Sequence, residues 1–412
     1  MSNVYKKGIL KIFFSTALVQ LINILLLPVY SRVFSPEDFG ILGAVTASTA
    51  IIAALSGLKY EQAIMVSNNK LAAINLFILS NIISISVNII IFLILFFLDI
   101  KSVYLFIPLI AYLAFLTESL YSLYSRLKDF GAISTGKIIG TIYSNATKLT
   151  TGFSVFNLQN GLVIGQMIGV LTPALYLFFV RKKILIIIRS YKNKLNVFRV
   201  AKKKVAYPKY YLPQGSLNVL THNLPPLVLA LYFNEYEIGL YWFCVRILQI
   251  PISLISDSIR KVMTVKLSSI KNDIDLLSST WLQWTLGLSA ISLSAITFIY
   301  LLSDLLIPLL FGKEWAGAVL YSKWLVLYVV SGLIILPTVS SIMALNKLKF
   351  QLNFEVIQFF VVVICLGCSI LVSSLYAFVV SYSISRLILS VGFAAIFHKL
   401  TMSSKKAKAL TT

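Results

Sequence analysis

The sequence predicts an all-α polytopic membrane protein, with twelve transmembrane helices in two pseudo-symmetric six-helix lobes around a central cavity. Three observations predict it. Apolar residues make up 58% of the 412-residue chain and mean hydropathy is +0.90, while charged residues reach only 12%. A soluble domain carries about twice that charge, and apolar stretches long enough to span hydrocarbon recur along the chain. Basic residues fall in alternate connections. The two halves also share one layout, as expected of a transporter whose lobes rock around a site between them.

The spans follow in order. The first half supplies them at about 9–33, 40–62, 72–98, 103–125, 132–156 and 161–181. The second half supplies them at about 213–233, 238–262, 280–302, 319–344, 351–374 and 376–399. The first span is too long and too polar for a cleaved signal. Residues 1–195 then form an N-terminal lobe and 196–412 a C-terminal lobe, joined by a basic linker over 181–209. The repeat is visible residue by residue. Thr16, Gln20, Asn23 and Pro28 recur 198 positions later as Gln214, Asn218, Thr221 and Pro226. One further position of drift aligns Phe34 and Gly40 with Phe233 and Gly239.

The net charge of +22 does not indicate a nucleic-acid partner, because 28 of the 36 basic residues lie on one alternating side of the spans. The positive-inside rule places both termini and the even-numbered connections in the cytoplasm. Eleven of these residues lie between Arg181 and Lys209, a tract suited to anionic headgroups or to recruiting a substrate. Cys244, Cys365 and Cys368 all fall inside spans and read as apolar packing residues, so neither a metal nor another cofactor is expected.

Ionisable residues inside spans are costly and mark function. Here they are mainly cations: Arg32, Lys59, Lys148, Arg246 and Arg386, with Lys137 close to a span end. Glu61, Glu118 and Glu355 are the acidic counterparts and the candidates for ion coupling. A surplus of cations suits an anionic cargo. Lys137, Thr141, Ser144, Lys148 and Thr151 recur at helical spacing, which would line one wall with two cations and three hydroxyls. Lys137 could instead snorkel to the surface. Arg32 is placed to anchor the end of the first span, and Lys59 can pair locally with Glu61 or join a gate. Arg246 and Arg386 have two readings, a forked hold on phosphate or a structural pair with Glu355 or Asp257. In the first span, Gln20 and Asn23 form a polar face. In the seventh, Asn218, His222 and Asn223 precede Pro225 and Pro226, which read as a hinge or as a static kink.

Four stretches carry a resemblance. They are Pro28 to Gly40 (PVYSRVFSPEDFG), Leu58 to Ile64 (LKYEQAI), Phe233 to Tyr241 (FNEYEIGLY) and Leu306 to Trp315 (LIPLLFGKEW). Together they resemble the polysaccharide transporter family, flippases of the multidrug/oligosaccharidyl-lipid/polysaccharide superfamily. The resemblance spans essentially the whole chain. It implies a bacterial inner-membrane flippase moving undecaprenyl-pyrophosphate-linked oligosaccharide units, for O-antigen or another surface polysaccharide, from the cytoplasmic to the outer leaflet. Membrane lipids and other polysaccharide-assembly proteins would be its partners. The cations would then hold the diphosphate. Two alternatives stay open. A cation-coupled drug antiporter of the same superfamily should show converging acids. A membrane glycan polymerase or glycosyltransferase should show a catalytic constellation in a sizeable outside loop, and no such loop is present.

The charge alternation generates a test of topology. Single cysteines at Ser2 and Lys405 should label only from the cytoplasmic side, and those at Asn157 and Asn234 only from the outside. Outside labelling at either of the first two positions would invert the assignment.

Overall fold

The computed structural model describes residues 3–67, 69–153, 160–181, 186, 196–270, 273–345 and 348–409. Most of the linker predicted over 181–209 lies outside these residues. Every regular element among the described residues is helical. In chain order they are α1 (Asn3–Val33), α2 (Pro36–Ser56), α3 (Tyr60–Met65), α4 (Lys70–Phe97), α5 (Ile107–Arg126), α6 (Phe130–Gly152) and α7 (Gly161–Leu175). There follow α8 (Val197–Lys203), α9 (Leu212–Tyr232), α10 (Glu235–Ser269), α11 (Ile274–Phe311), α12 (Ala318–Ala344), α13 (Leu348–Leu371) and α14 (Leu375–Ala409).

All of these except α3 and α8 contain 15 residues or more, which gives twelve long helices among the described residues. Ten are long and apolar enough to cross a membrane. The two outside that set are α6 and α9, the helices whose polar faces the sequence singles out. The protein is therefore a multi-pass helical membrane protein with the expected number of long helices.

Local chemistry sets the helix starts. Asn69, Asp129, Asn234 and Asp273 each accept a hydrogen bond from the backbone N–H three residues on, capping α4, α6, α10 and α11. At α2 the cap is reciprocal. Asp38 Oδ2 accepts from the Ser35 N–H at 3.1 Å, and Ser35 Oγ accepts from the Asp38 N–H at 3.4 Å. The second predicted span is cut at its far end. Helix α2 stops at Ser56, and Leu58 and Lys59 take left-handed φ values of 51° and 61° before α3 begins.

The chain divides into two compact units. The first is Met1–Phe34 with Ile41–Leu227, and the second is Ser35–Gly40 with Val228–Thr412. In the first, Ile64, Leu76, Leu120, Tyr124 and Leu177 form a fully enclosed core drawn from α3, α4, α5 and the turn after α7. Glycines 161, 165 and 169 stripe α7 at four-residue spacing against Thr151, Lys148 and Ser144 of α6. Small residues at this spacing let two membrane helices approach closely.

The second unit has two cores. One gathers Met263, Leu267, Trp281, Ile342, Phe354 and Phe397, with Trp281 Nε1 donating to Thr338 Oγ1 at 3.1 Å. The other is aromatic. Phe39, Phe243, Phe311 and Trp315 form a chain of ring contacts, with centroids 3.9 Å apart for Phe243 and Trp315 and 5.0 Å apart for Phe39 and Trp315. Beside it the backbones of two repeat-related helix starts touch. A Cβ on Gly40 would run into the Glu235 carbonyl oxygen, and one on Gly239 into the Pro36 carbonyl oxygen. Residues 36 and 235, and 40 and 239, are each separated by 199 positions. The contact is thus reciprocal, each glycine meeting a carbonyl in the first turn of the other helix.

This contact should tolerate no side chain. Gly239→Val or Gly40→Val should lower the melting temperature, at a cost of about 1–3 kcal/mol for an overpacked site. Gly367→Ala, where a Cβ meets nothing within 4 Å, is the control and should be neutral or better. Equal melting temperatures for Gly239→Val and Gly367→Ala would refute the contact.

Candidate functional site

In the first unit a polar seam runs between α1 and α6. Thr16, Asn23 and Tyr30 recur every seven residues, which brings them to one side of α1. Lys137 Nζ donates to Thr16 Oγ1 at 3.4 Å, and Asn145 Nδ2 donates to Asn23 Oδ1 at 3.3 Å. The Tyr30 hydroxyl donates to Asn145 Oδ1 at 2.7 Å, and the Lys148 ammonium lies 5.9 Å from the centre of the Tyr30 ring. Sequence reasoning found Thr16, Asn23 and both lysines. It missed Tyr30 and Asn145, although Tyr30 stands seven residues beyond Asn23. The expected α6 wall is also divided. Ser144 is buried at α7, and the aliphatic stem of Lys148 lies over Gly165. Thr141 Oγ1 and Thr151 Oγ1 donate back to carbonyls of their own helix.

The acids of this unit gather near its other cations. Lys59 Nζ lies 3.9 Å from Glu61 Oε1, both side chains being buried, and Lys59 packs over Gly215 of α9. Glu118 is exposed and within Coulombic reach of Lys137 and Lys59. Two carboxylates therefore serve two lysines. Arg32 is exposed in the last turn of α1. Gln20 is half-buried.

The cations of the second unit are held differently. The Arg246 guanidinium lies 5.0 Å from the Trp242 ring centre, on a side chain exposed in the middle of α10. Arg386 lies 5.6 Å from the Tyr328 ring centre and is buried. Neither makes an ion pair with a described acidic residue. Glu355, a candidate partner, instead accepts from Gln351 Nε2 at 3.1 Å. The side chain of Asp257 lies outside the described residues. A cation–π contact contributes about 2 kcal/mol when desolvated, whereas burying an ion costs several kcal/mol. The rings reduce the cost of these charges without cancelling it.

Helix α9 runs unbroken through Pro225 and Pro226, both buried. The two prolines leave the carbonyls of Thr221 and His222 without their usual i+4 donor. Thr221 Oγ1 donates to the Leu217 carbonyl oxygen and Asn223 Nδ2 to that of Val219, so both side chains turn back on the helix. Asn218 and His222 are exposed. The boundary between the compact units falls one residue beyond Pro226, after Leu227.

No group of three or more His, Cys, Asp or Glu side chains among the described residues could hold a metal. Cys244 and Cys365 are buried, with Cys244 Sγ 3.1 Å from the Ala318 carbonyl oxygen, and Cys368 is exposed.

A family model described as "Polysaccharide biosynthesis protein" matches residues 29–320. The chain belongs to this family. Solved structures of similar fold are known. The lipid II flippase MurJ in an inward closed conformation superposes with a TM-score of 0.68 at 14% identity, over 97% of this chain and 92% of that one. An inward-facing multidrug resistance MATE family transporter of the MOP superfamily gives 0.67 at 13% identity, over 95% and 99%. The Vibrio cholerae MATE transporter VcmN in its bent form gives 0.51 at 13%, over 98% and 97%. At these identities the likeness is one of fold. No curated protein sequence matches the chain.

The seam is open to a direct test. Tyr30→Phe removes the hydroxyl from Asn145 but keeps the ring near Lys148. Leaving a buried acceptor short of its donor costs about 1–3 kcal/mol, so the melting temperature should fall while expression persists. An unchanged melting temperature would mean that water replaces the hydroxyl at no cost.

Proposed function

We propose that this member of the polysaccharide biosynthesis family is a flippase. Its cargo is an undecaprenyl-pyrophosphate-linked oligosaccharide repeat unit, carried from the cytoplasmic to the outer leaflet of a bacterial inner membrane by alternating access. O-antigen or another surface polysaccharide would be the product, and other assembly proteins would meet the cargo on either side. One observation carries the reading. Arg246, an exposed residue in mid-span, holds its guanidinium over Trp242, with no ion pair to a described acid. Such a group can fork onto a phosphate. Lys148 over Tyr30 offers a second cation, with Lys137, Lys59 and Arg32 nearer the ends of their spans. The orientation follows from the positive-inside rule.

The acids support this reading over a drug antiporter. Glu61 and Glu118 lie within Coulombic reach of each other, but Lys59 and Lys137 stand beside them and would offset their charge at a cation site, while Glu355 accepts from Gln351. Proton or ion coupling through these three remains part of the proposal. The polar face of α9, with Pro225 and Pro226, is the proposed hinge, because the prolines withhold two backbone donors from the helix and its polar side chains can exchange partners between a bent and a straighter state.

The experiment is reconstitution with defined lipid-linked glycans and a leaflet-specific readout. Arg246→Ala should abolish flipping at normal expression, and Arg246→Lys should recover only part, because lysine keeps the charge and loses the planar fork. Pro225→Ala/Pro226→Ala should insert normally and slow flipping. Full activity of Arg246→Ala would overturn the assignment.

A further inference from the structure

Arg386 is the in-span cation that the transport reading leaves without a role. It lies on α14 and is only 6% exposed. Its Nε and Nη1 atoms are buried with no hydrogen-bond partner among the described residues. An aromatic cluster of the same unit lies beside it. The Tyr328 ring faces the guanidinium, and the Tyr382 ring, one turn back on α14, lies 5.0 Å from that of Tyr328. Phe378 stacks on Tyr382 at 5.1 Å, and Tyr241 of α10 meets Phe378 edge-on at 5.9 Å. Ser383, three residues before Arg386 and so on the same face of α14, is fully buried with its hydroxyl unbonded.

A guanidinium does not lose its proton in a protein, so this charge cannot neutralise itself. Aromatic faces attract it but supply no counter-charge and no acceptor in the plane of its N–H groups. Water could accept those hydrogen bonds and would still leave the charge uncompensated. What is missing is a negative charge with free lone pairs. Arg386 is only 6% exposed, too little for a glycan diphosphate to seat on, while a monatomic anion needs little more space than a water molecule. A serine hydroxyl with no other partner can turn its proton toward such an anion.

We infer that Arg386, with Ser383 and the tyrosine pair Tyr328 and Tyr382, forms a small-anion site of halide class inside the second unit, enclosed by α10, α12 and α14. The inference does not rest on the cargo. A flippase, an antiporter or a protein with neither activity would carry the same uncompensated charge, so the site and the transport reading can fail separately.

The test uses the full-length protein in nanodiscs of neutral lipid. Its melting temperature is followed as chloride replaces gluconate at constant ionic strength, with bromide, acetate and phosphate in parallel. A ligand that binds only the folded state raises stability with its concentration relative to its dissociation constant. Chloride and bromide should therefore raise the melting temperature saturably, acetate and phosphate much less. Arg386→Gln should lose the dependence, Ser383→Ala should weaken it, and Arg246→Gln should keep it. Should Arg386→Gln fail to fold, Ser383→Ala and a bromide-soaked crystal of the wild-type protein decide, through an anomalous peak in contact with the Arg386 guanidinium. A wild-type melting temperature indifferent to the anion, a halide effect that survives Arg386→Gln, or bromide peaks at the surface only would overturn the site.

Discussion

A charge placed in a hydrocarbon-spanning helix must find a partner, and that constraint arranges the interior of this protein. Most of the basic side chains inside its spans lie near a carboxylate or an aromatic ring. Lys59 lies beside Glu61, and Lys137 is within Coulombic reach of Glu118, so part of the first unit is locally balanced. Lys148, Arg246 and Arg386 each sit by an aromatic ring, respectively Tyr30, Trp242 and Tyr328. A ring holds a cation in place without consuming its charge, whereas a carboxylate does consume it. Aromatic partners therefore keep the positive potential of the interior available to an incoming anion.

The second organising contact is made of backbone. Glycines 40 and 239 let two repeat-related helix starts meet carbonyl against Cα, and the Phe39, Phe243 and Trp315 rings close around them. Three of the four stretches that carried the family resemblance converge here. The fourth, Leu58 to Ile64, supplies the left-handed turn before α3 and the buried Lys59–Glu61 pair. The three converging stretches thus specify a packing geometry more than a ligand. That explains how they can identify the fold and say little about the sugar.

Hydropathy and charge alternation made the architecture legible because both follow from the bilayer. The twelve long helices were recoverable even though α6 and α9 are too polar to stand out by hydropathy, since each skipped helix would have inverted every later connection. What stayed hidden has physical reasons too. Nothing in the composition marks Leu58 and Lys59 as left-handed, because neither is a glycine or asparagine, the residues that favour that region. Aromatic residues are 13% of the chain, so Tyr30, Trp242 and Tyr328 could not be picked out from their neighbours before distances were known. The α6 stripe read as uniformly wet because spacing alone cannot say that α7 presents three glycines to half of it.

Arg246 and Arg386 show how far position within a helix differs from environment. Both are mid-span arginines over aromatic rings, and in the sequence they are equivalent candidates. The structure separates them by access. Arg246 is exposed, while Arg386 is enclosed. A charge that must bind and release bulky cargo cannot be walled in, and a charge that is walled in must be compensated locally or by a small ion. The same residue type at comparable depth thus stands in two environments, and burial separates them.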